Sequence, residues 1–414
     1  MNELTNNDSV KKLFSDFTNN SSATEDEMIL DASEKKTPVY PPVNLSEALI
    51  SLGNLRHNAR QIKAQIGQSR RLMAIVKANA YGHNAGKVAP ALVQEGVSDF
   101  GVANINEAIH LRKALQAAQA REDSQILAFA SPLECQMPFY LQHEIDLTVT
   151  NFETAKLAEA VSKNHGKNLT VHLKIDTGMG RLGIQPREGF ALARYVEASP
   201  YLNLKGIYTH FSDSGEDLAF TRNQLEIYKK LVSEFEHEAK RTVLKHAANS
   251  GAIISDNDTY LDMVRPGILL YGYTPAKSLT TALDLRRVMQ FQAHVLFTKW
   301  VEKGATVSYG RRWIATRRTR VATVSVGYAD GYHRALSNKA KVCINGNLYE
   351  QIGSVTMDQI MVSLGEDSSV QVGDPVVLFG WDGLGANDLA EQIGTIGYEL
   401  LCAVSPRVKR VFID

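Results

Sequence analysis

Between residues 50 and 285, short β-branched runs alternate with helical segments such as Asn106–Ala120, Asn151–Lys163 and Leu218–Lys240. Eight β-then-α units of this length match a (β/α)8 barrel better than an open doubly wound sheet. We therefore predict an N-terminal TIM barrel of the α/β class. Its strands are predicted at Met73–Lys77, Phe100–Ala103, Ile126–Ala130, Leu147–Thr150, Val171–Ile175, Gly206–Thr209, Leu244–Ala247 and Met263–Leu270.

After residue 285 the apolar pattern changes, and the runs become typical of strands in an antiparallel sheet. Asn345 and Gly346 lie between two of these runs and indicate a type I′ hairpin. A short helix and a last strand are predicted between Thr395 and Ile413. We expect a mostly antiparallel C-terminal β domain with strands at Phe291–Trp300, Arg320–Val326, Lys341–Ile344, Leu348–Ile352, Gln359–Leu364 and Val376–Phe379.

The first 42 residues differ from the rest of the chain. They are rich in Asn, Ser, Thr, Asp, Glu and Lys, with one short apolar cluster at Met28–Leu30. Such a composition cannot bury enough apolar surface to form a core. We predict three regions: a disordered or loosely attached extension at 1–42, the barrel at 43–285 and the β domain at 286–414.

The overall composition is that of an ordinary globular protein. Acidic and basic residues number 45 each, so no basic excess indicates nucleic acid or an anionic membrane surface. No apolar run is long enough to span a bilayer, and the N-terminus lacks the pattern of a secretory signal. Three widely separated cysteines, Cys135, Cys343 and Cys402, are typical of reduced, mostly buried thiols, so we expect a cytoplasmic protein without a structural metal.

Ionisable and polar residues follow many of the predicted barrel strands. In TIM barrels the chemistry takes place at the C-terminal ends of the strands. Small residues after strands seven and eight, at Asn249–Gly251 and Pro266–Ile268, also offer free backbone N–H groups where barrels commonly bind phosphate. We therefore predict an active site from the strand-end residues Lys77, Lys174, Asp176, His210, His246, Asn249, Ser250 and Arg265.

Lys77 ends the apolar run from Leu72 to Val76, which reads as a strand buried on both faces. By strand alternation, Met73, Ile75 and Lys77 share one face. A lysine that points inward there must be paired, deprotonated or used covalently. Taken alone, it could be a structural ion pair or a lysine that extends its amine to solvent. The alternative is a reactive amine that forms a Schiff base.

The segment from Val76 to His83, VKANAYGH, favours the covalent role because it closely resembles the pyridoxal-phosphate lysine segment of alanine racemases. The resemblance extends over separated motifs from about residue 50 to the C-terminus. It implies that Lys77 carries pyridoxal 5'-phosphate and that Tyr81 contacts the phosphate. It also implies a cofactor contact from Asn249 and phosphate contacts from Ser250, Gly267, Ile268 and Tyr398.

Other positions match substrate-binding and catalytic residues of that family. Arg181, in DTGMGRLG, matches the arginine that binds the substrate carboxylate, and an arginine fork suits a carboxylate. Lys174 matches a lysine that is often carbamylated in the family. Tyr309 matches the second base, and Met357 a residue whose backbone contacts the substrate carboxylate. His210 matches the histidine against the pyridine ring, and His246 one that hydrogen-bonds the pyridine-facing arginine.

The chain departs from the usual family pattern at two of these motifs. Pro266 precedes Gly267 and lacks an N–H, so the phosphate contacts fall on Gly267 and Ile268. Thr356 stands where a cysteine is common. Because the adjacent family contact at Met357 is made by the main chain, Thr356 has little consequence.

Arg265 matches the residue at the pyridine nitrogen. Arginine is always charged and can only donate hydrogen bonds, so a nitrogen beside it stays unprotonated. That restrains electron withdrawal by the ring. Racemisation removes and returns one α-proton, so a restrained electron sink suits it. Two bases on opposite faces, Lys77 and Tyr309, then act on the D- and L-enantiomers respectively.

The expected activity is therefore isomerisation of alanine to supply D-alanine for peptidoglycan, by a homodimer with active sites shared between chains. The nearest alternative is a broad-specificity amino-acid racemase of the same fold. A decarboxylase is disfavoured by Arg265, and a non-catalytic pyridoxal-phosphate carrier is disfavoured by the β domain with Tyr309 and Met357. A phosphosugar barrel enzyme without pyridoxal phosphate is the remaining alternative.

Overall fold

The computed structural model describes residues 45–120, 124–276, 279–367 and 369–414. The predicted N-terminal extension lies outside the described residues. Contacts divide the chain into two compact units. The barrel unit contains Leu49–Gln290, Gly385–Ser405 and Arg410–Asp414; of the described residues, the β unit contains Leu45–Ala48, Phe291–Leu384 and Pro406–Lys409.

The barrel unit contains a closed barrel of eight parallel strands, which confirms the predicted fold. Neighbouring strands pair in chain order, and the last strand pairs with the first. Short runs of consecutive buried residues form these strands because helices cover the outer face of the barrel. The strands are Arg71–Ile75, Asp99–Val102, Gln125–Ala128, Asp146–Val149, Leu169–Lys174, Leu202–Tyr208, Leu244–His246 and Met263–Val264.

Amphipathic helices follow or precede the strands. The helix Phe152–His165 begins where the Asn151 side chain accepts a hydrogen bond from the Thr154 N–H and ends at Gly166 in a left-handed conformation, as capping rules predict. The other helices of this unit are Leu52–Ile66, Ala85–Gln94, Ile105–Ala117, Met137–Gln142, Pro186–Ala198, Leu218–Ala239, Ser250–Ser255, Ala386–Ile393 and Gly397–Ala403.

The β unit is built on antiparallel strands, as predicted. Six strands pair in a ring, because Met289–Val301, which begins in the barrel unit, pairs with both Pro375–Phe379 and Thr319–Val324. Asn345 and Gly346 both have positive φ, as a type I′ hairpin requires. The other strands of the ring are Lys341–Ile344, Asn347–Ile352 and Ile360–Gly365, and Thr306–Val307 pairs with Trp313–Ile314 outside it.

The compact units do not follow the predicted region boundaries throughout. Residues 385–405, which the sequence assigned to the β domain, belong to the compact barrel unit. Whether the three predicted regions fold as independent domains stays a prediction. The strands Ser46–Ser51 and Lys409–Ile413 each contain residues of both units.

The expectation of mostly buried thiols is wrong. All three cysteines are free, but only Cys343 is buried, whereas Cys135 and Cys402 are exposed. Cys135 lies in a short 3-10 helix, and Cys402 lies on the helix Gly397–Ala403. Spacing alone excluded a disulfide framework, but it carried no information about which face of an element each cysteine occupies.

Candidate active site

A cavity of about 720 Å³ opens in the barrel unit, and all of its lining residues belong to that unit. It brings together eleven of the predicted site residues from distant parts of the sequence. They are Lys77, Tyr81, Lys174, Arg181, His210, Asn249, Ser250, Arg265, Gly267, Ile268 and Tyr398. His246 is fully buried and contacts Arg265 instead.

Lys77 does not extend its strand as alternation predicted. The first barrel strand ends at Ile75, and Lys77 opens a tight turn beyond it. The next four residues, Ala78 to Tyr81, all have φ between 52° and 56°. A left-handed conformation costs an L-residue about 1–2 kcal/mol, and no glycine relieves that strain at these four positions.

The amine of Lys77 is accessible from the open cavity, and protein still surrounds much of the side chain. Desolvation lowers the pKa of Lys77, and the positive charge of Arg181 lowers it further. Glu107 and Cys402 act in the opposite direction. A lowered pKa increases the fraction of neutral amine, which is the form that attacks a carbonyl or accepts a proton.

Arg265 is a buried cation whose contacts are all to acceptors. Its guanidinium donates to the carbonyls of Thr209 (2.7 Å) and Ala247 (2.9 Å), to His210 Nδ1 (3.4 Å) and to His246 Nδ1 (3.1 Å). Burial lowers the pKa of Arg265 to about 10, so it stays charged at neutral pH. Burial and the charge of Arg265 lower the pKa of both histidines, in keeping with neutral rings that accept through Nδ1.

Behind Arg265, a chain of polar side chains crosses the barrel interior. His246 lies 3.0 Å from His172, and His172 Nε2 lies 3.5 Å from Asp146, which pairs with Lys205 at 2.7 Å. Arginine only donates and the carboxylate only accepts, so we assign the proton of each histidine to Nε2. Burial lowers the pKa of both His172 and His246, in keeping with neutral rings.

The sequence analysis missed His172 and Asp146. His172 lies inside its strand and Asp146 begins its strand, so neither lies at the C-terminal strand ends where the chemistry was expected. A signal was present, because His172 and Lys174 are two apart on one strand and therefore share a face. Gly206 is the matching small residue: a Cβ there would lie 2.7 Å from His172 Nδ1.

A second side of the cavity is formed by hydroxyls and close backbone. The Gly267 N–H donates to Ser250 Oγ at 2.9 Å, and a Cβ on Gly267 would lie 2.4 Å from the Tyr81 hydroxyl. Asn249 caps the short helix Ser250–Ser255 by accepting from the Ala252 N–H. The rings of Tyr81 and Tyr398 lie 5.8 Å apart, and burial raises the pKa of both hydroxyls.

Arg181 and Lys174 lie on another side. Asp176 fixes the loop before Arg181 by accepting from the N–H groups of Gly178 and Gly180 at 3.1 Å. Lys174 is 5% exposed, and its amine has no hydrogen-bond partner among the described residues. Desolvation and the nearby charge of Arg265 hold the pKa of Lys174 well below its usual range.

Tyr309 and Met357 belong to the β unit and are not among the cavity residues. Both side chains are exposed, Tyr309 by 74% and Met357 by 52%. The backbone around Tyr309 is nevertheless fixed. Ser308 Oγ donates to the Ser354 carbonyl at 2.7 Å, and Ser354 Oγ donates to the Tyr309 carbonyl at 2.9 Å.

Two further properties of the described residues concern metal binding and membrane crossing. Across residues 45–120, 124–276, 279–367 and 369–414, no group of three or more His, Cys, Asp or Glu residues could hold a metal ion. Over the same ranges, no helix has the length and apolar character needed to cross a membrane.

Comparison with known proteins accounts for both units. The family described as "Alanine racemase, N-terminal domain" matches residues 50–275, and "Alanine racemase, C-terminal domain" matches residues 288–412. An alanine racemase of Chlorobaculum tepidum is 55% identical over 93% of this chain and 100% of its own length. One from Treponema denticola is 40% identical over 89% of this chain and 98% of its own.

Solved structures agree. An alanine racemase of Clostridium difficile superposes with a TM-score of 0.84 at 36% identity, over 90% of this chain and 97% of that one. The biosynthetic alanine racemase of Pseudomonas aeruginosa gives 0.81 at 32%, over 90% and 100%. Two matching domain families, near-complete coverage and a common fold lead to one conclusion: this chain belongs to the alanine racemase family.

Proposed function

We propose that this protein interconverts L-alanine and D-alanine, with pyridoxal phosphate carried by Lys77. Its family depends on that cofactor. The observation that carries the proposal is the barrel cavity, where the Lys77 amine shares one space with Arg181 and Arg265 and with the hydroxyls of Tyr81 and Tyr398. Each of these groups matches a requirement of the reaction.

The cavity residues fit pyridoxal phosphate. Covalent attachment needs an amine that is neutral part of the time, and Lys77 has a lowered pKa. A phosphate needs donors and close backbone, and Ser250, Gly267, Tyr81 and Tyr398 provide them on one side of the cavity. We propose that Asn249 and Ile268, which line the same cavity, complete this phosphate site.

When bound, pyridoxal phosphate withdraws electrons from an attached amino acid and so acidifies its α-hydrogen. The Lys77 amine exchanges that proton on one face of the α-carbon, as the base for D-alanine. The Tyr309 hydroxyl exchanges it on the opposite face, as the base for L-alanine. Inversion needs one group on each face, because a single base would return the proton to the face it left.

The substrate carboxylate requires fixed donors. Arg181 presents a fork that can donate two parallel hydrogen bonds, and the Met357 backbone adds a contact. The unpaired Lys174 amine is suited to carbamylation: neutral Lys–NH2 adds to CO2 and loses one proton, which gives a carbamate anion. We propose that this anion steadies Arg181.

Arg265 and His210 control the ring. His210 lies at the cavity wall within reach of the Arg265 guanidinium, and burial together with the charge of Arg265 holds its pKa well below the usual range. Arg265 can only donate, so a pyridine nitrogen held beside it would accept a hydrogen bond and stay unprotonated. His246 accepts from the other arm of Arg265 and thereby orients it.

We further propose a homodimer with shared active sites, located in the cytoplasm and supplying D-alanine for peptidoglycan. The support for sharing is the exposure of Tyr309 and Met357, which a partner chain would cover. A two-fold interface makes each contact reciprocal, so two equivalent composite sites arise together.

The test is spectroscopic and chemical. The purified protein should be yellow, racemise alanine in both directions, and retain the cofactor on a Lys77 peptide after borohydride reduction. A label on Lys174, or a colourless and inactive protein, would refute the proposal. A panel with serine, lysine and arginine distinguishes an alanine enzyme from a broad-specificity racemase.

A further inference from the structure

His83 is a buried, titratable residue to which the proposed function gives no part. Its side chain is 0% exposed, and its ring Nδ1 lies 2.9 Å from the carbonyl oxygens of both Ala80 and Tyr81. Carbonyl oxygens only accept, so the ring proton is on Nδ1. The other nitrogen, Nε2, has no hydrogen-bond partner within the described parts of the chain.

The two carbonyls belong to the strained left-handed turn between Lys77 and Gly82. Asn79 is of a type that tolerates this conformation, but Ala78 and Ala80 have neither that tolerance nor the freedom of glycine. A strained segment persists only when its surroundings hold it in place. The contacts of the turn therefore indicate which residues do so.

Contacts hold the turn from two sides. At its beginning, the Ala78 N–H donates to the Glu107 carboxylate at 2.8 Å. At its end, His83 donates to the two carbonyls, and the Tyr271 ring lies 4.5 Å from the His83 ring and 4.8 Å from that of Tyr81. The end contact is the more sheltered, because His83, Tyr81 and Tyr271 are all buried.

We infer that His83 is a positioning residue: its Nδ1–H holds the turn in the left-handed conformation that presents Lys77 and Tyr81 to the cavity. Without this donor, the buried carbonyls of Ala80 and Tyr81 each lose a partner, and the main-chain hydrogen bonds at that end must hold the turn without it. The consequence for catalysis rests on the proposed role of Lys77. The consequence for the turn itself does not.

The first experiment separates the donor from the ring. His83→Asn keeps an N–H close to the Nδ1 position but removes the ring, whereas His83→Phe keeps the ring and removes the donor. Hydrogen–deuterium exchange of the purified protein is followed for peptides covering residues 76–84. We expect exchange there to rise about tenfold in His83→Phe. In His83→Asn it should stay near wild type, and exchange in the strand Leu169–Lys174 should be unchanged in both.

If His83→Phe does not fold, His83→Gln replaces it, because glutamine puts its amide near the Nε2 position, away from the carbonyls. Unchanged exchange in the turn of the donor-free variant would overturn the inference. So would an equal rise in all peptides, because that would show a residue important only for global stability.

A second experiment tests whether strain is what His83 opposes. Ala78 is exposed and has φ 52°, so Ala78→Gly removes strain there without loss of buried surface. Added to His83→Phe, it should restore at least part of the protection of the turn. Further loss of protection would mean that no strain was relieved, and would count against the inference.

Kinetics then connect the turn to catalysis. Misplacement of Lys77 should lower kcat about tenfold in His83→Phe with little change in KM, and His83→Asn should recover most of it. An unchanged kcat beside a loosened turn would overturn the positioning role. A wild-type protein without racemase activity, but with the expected exchange pattern, would refute the proposed function and leave the inference about the turn standing.

Discussion

The two proposed bases lie in different settings. Lys77 follows a buried strand, and hydrogen bonds fix the turn that it opens: the Ala78 N–H donates to Glu107, and His83 donates to two carbonyls. Tyr309 lies between the two short paired strands Thr306–Val307 and Trp313–Ile314, and its side chain is 74% exposed. One base thus lines the cavity of its own unit, whereas the other lies outside that cavity with its side chain exposed.

The backbones at the two positions are nevertheless alike in one respect. Ala78 to Tyr81 are left-handed, and Ser308, directly before Tyr309, has φ 67° and ψ −178°, a region that non-glycine residues rarely adopt. Two hydrogen bonds hold this second strained position: Ser308 Oγ donates to the Ser354 carbonyl, and Ser354 Oγ donates to the Tyr309 carbonyl. Strained backbone therefore lies beside both bases, and what differs is the setting of their side chains.

The difference indicates how the labour is divided. The barrel unit alone builds a cofactor cavity with a perturbed amine. The β unit fixes the backbone of Tyr309 by hydrogen bonds but leaves its side chain exposed, to be covered by another chain. In the proposed dimer that chain is the partner.

The largest expected effect comes from separating the two bases. Lys77→Ala and Tyr309→Ala should each abolish activity, since each removes a group needed for proton transfer. Mixing the two proteins with subunit exchange should restore about a quarter of wild-type activity, because about half of the dimers are mixed and each of those has one intact site of two. Activity is measured after native mass spectrometry confirms exchange. If both bases act within one chain, no activity returns.

A smaller and asymmetric effect is expected from Tyr309→Phe. Loss of the hydroxyl should slow α-proton exchange from L-alanine by about 10²–10⁴-fold, the range for general acid–base groups, and affect D-alanine less. Exchange of each enantiomer with deuterium is followed by mass spectrometry. Equal slowing of both would indicate that Tyr309 has a structural role.

Arg265 allows the barrel side to be altered without touching either base. In Arg265→Glu, a carboxylate faces the ring nitrogen and favours its protonation, so racemisation should fall on the order of 10²-fold while release of pyruvate rises. Arg265→Lys is the control, since it keeps the positive charge and should lose activity without forming pyruvate. Pyruvate from both variants, or from neither, would contradict the electronic role of Arg265.

The fold was predictable because barrel strands and antiparallel strands have different periods. The site was predictable in part, since strand ends of a barrel converge and eleven expected residues line one cavity. Extending alternation to Lys77 failed because the strand ends at Ile75. Ala78 and Ala80 give no signal of a left-handed turn, and Asn79 gives only a weak one, because contacts with other residues impose that conformation.

Interior polar residues were missed for a different reason. His172, Asp146 and Tyr271 all lie where periodicity predicts core. A hydrophobic pattern does not show that a polar side chain at a core position makes specific contacts. Tyr271 donates its hydroxyl to the Ile75 carbonyl at 3.0 Å, directly before the turn. Only the three-dimensional arrangement shows that these residues support Arg265 and the turn.

The smallest expected effect is a loss of folding stability at acidic pH, and it arises from His83 in the barrel unit. Burial lowers the pKa of His83 to about 4, against an ordinary 6.5, and nearby Arg410 contributes to the lowering. Between these values the unfolded chain binds more protons than the folded protein, so stability is fully present above pH 6.5 and declines as the pH falls towards 4. The full loss from this residue is on the order of 3 kcal/mol.

His83→Asn cannot titrate, and it therefore isolates this contribution from those of the other buried histidines. Urea midpoints of wild type and His83→Asn should differ by a constant amount above pH 6.5, and the wild type should lose stability relative to the variant between pH 6.5 and 4. A Tyr309→Phe protein should follow the wild-type curve, since that tyrosine lies outside the buried network. Parallel curves for wild type and His83→Asn would show that His83 is not held neutral by burial. The residues behind the Lys77 turn would then be less buried than the structure indicates, and the contrast with the exposed Tyr309 would be smaller.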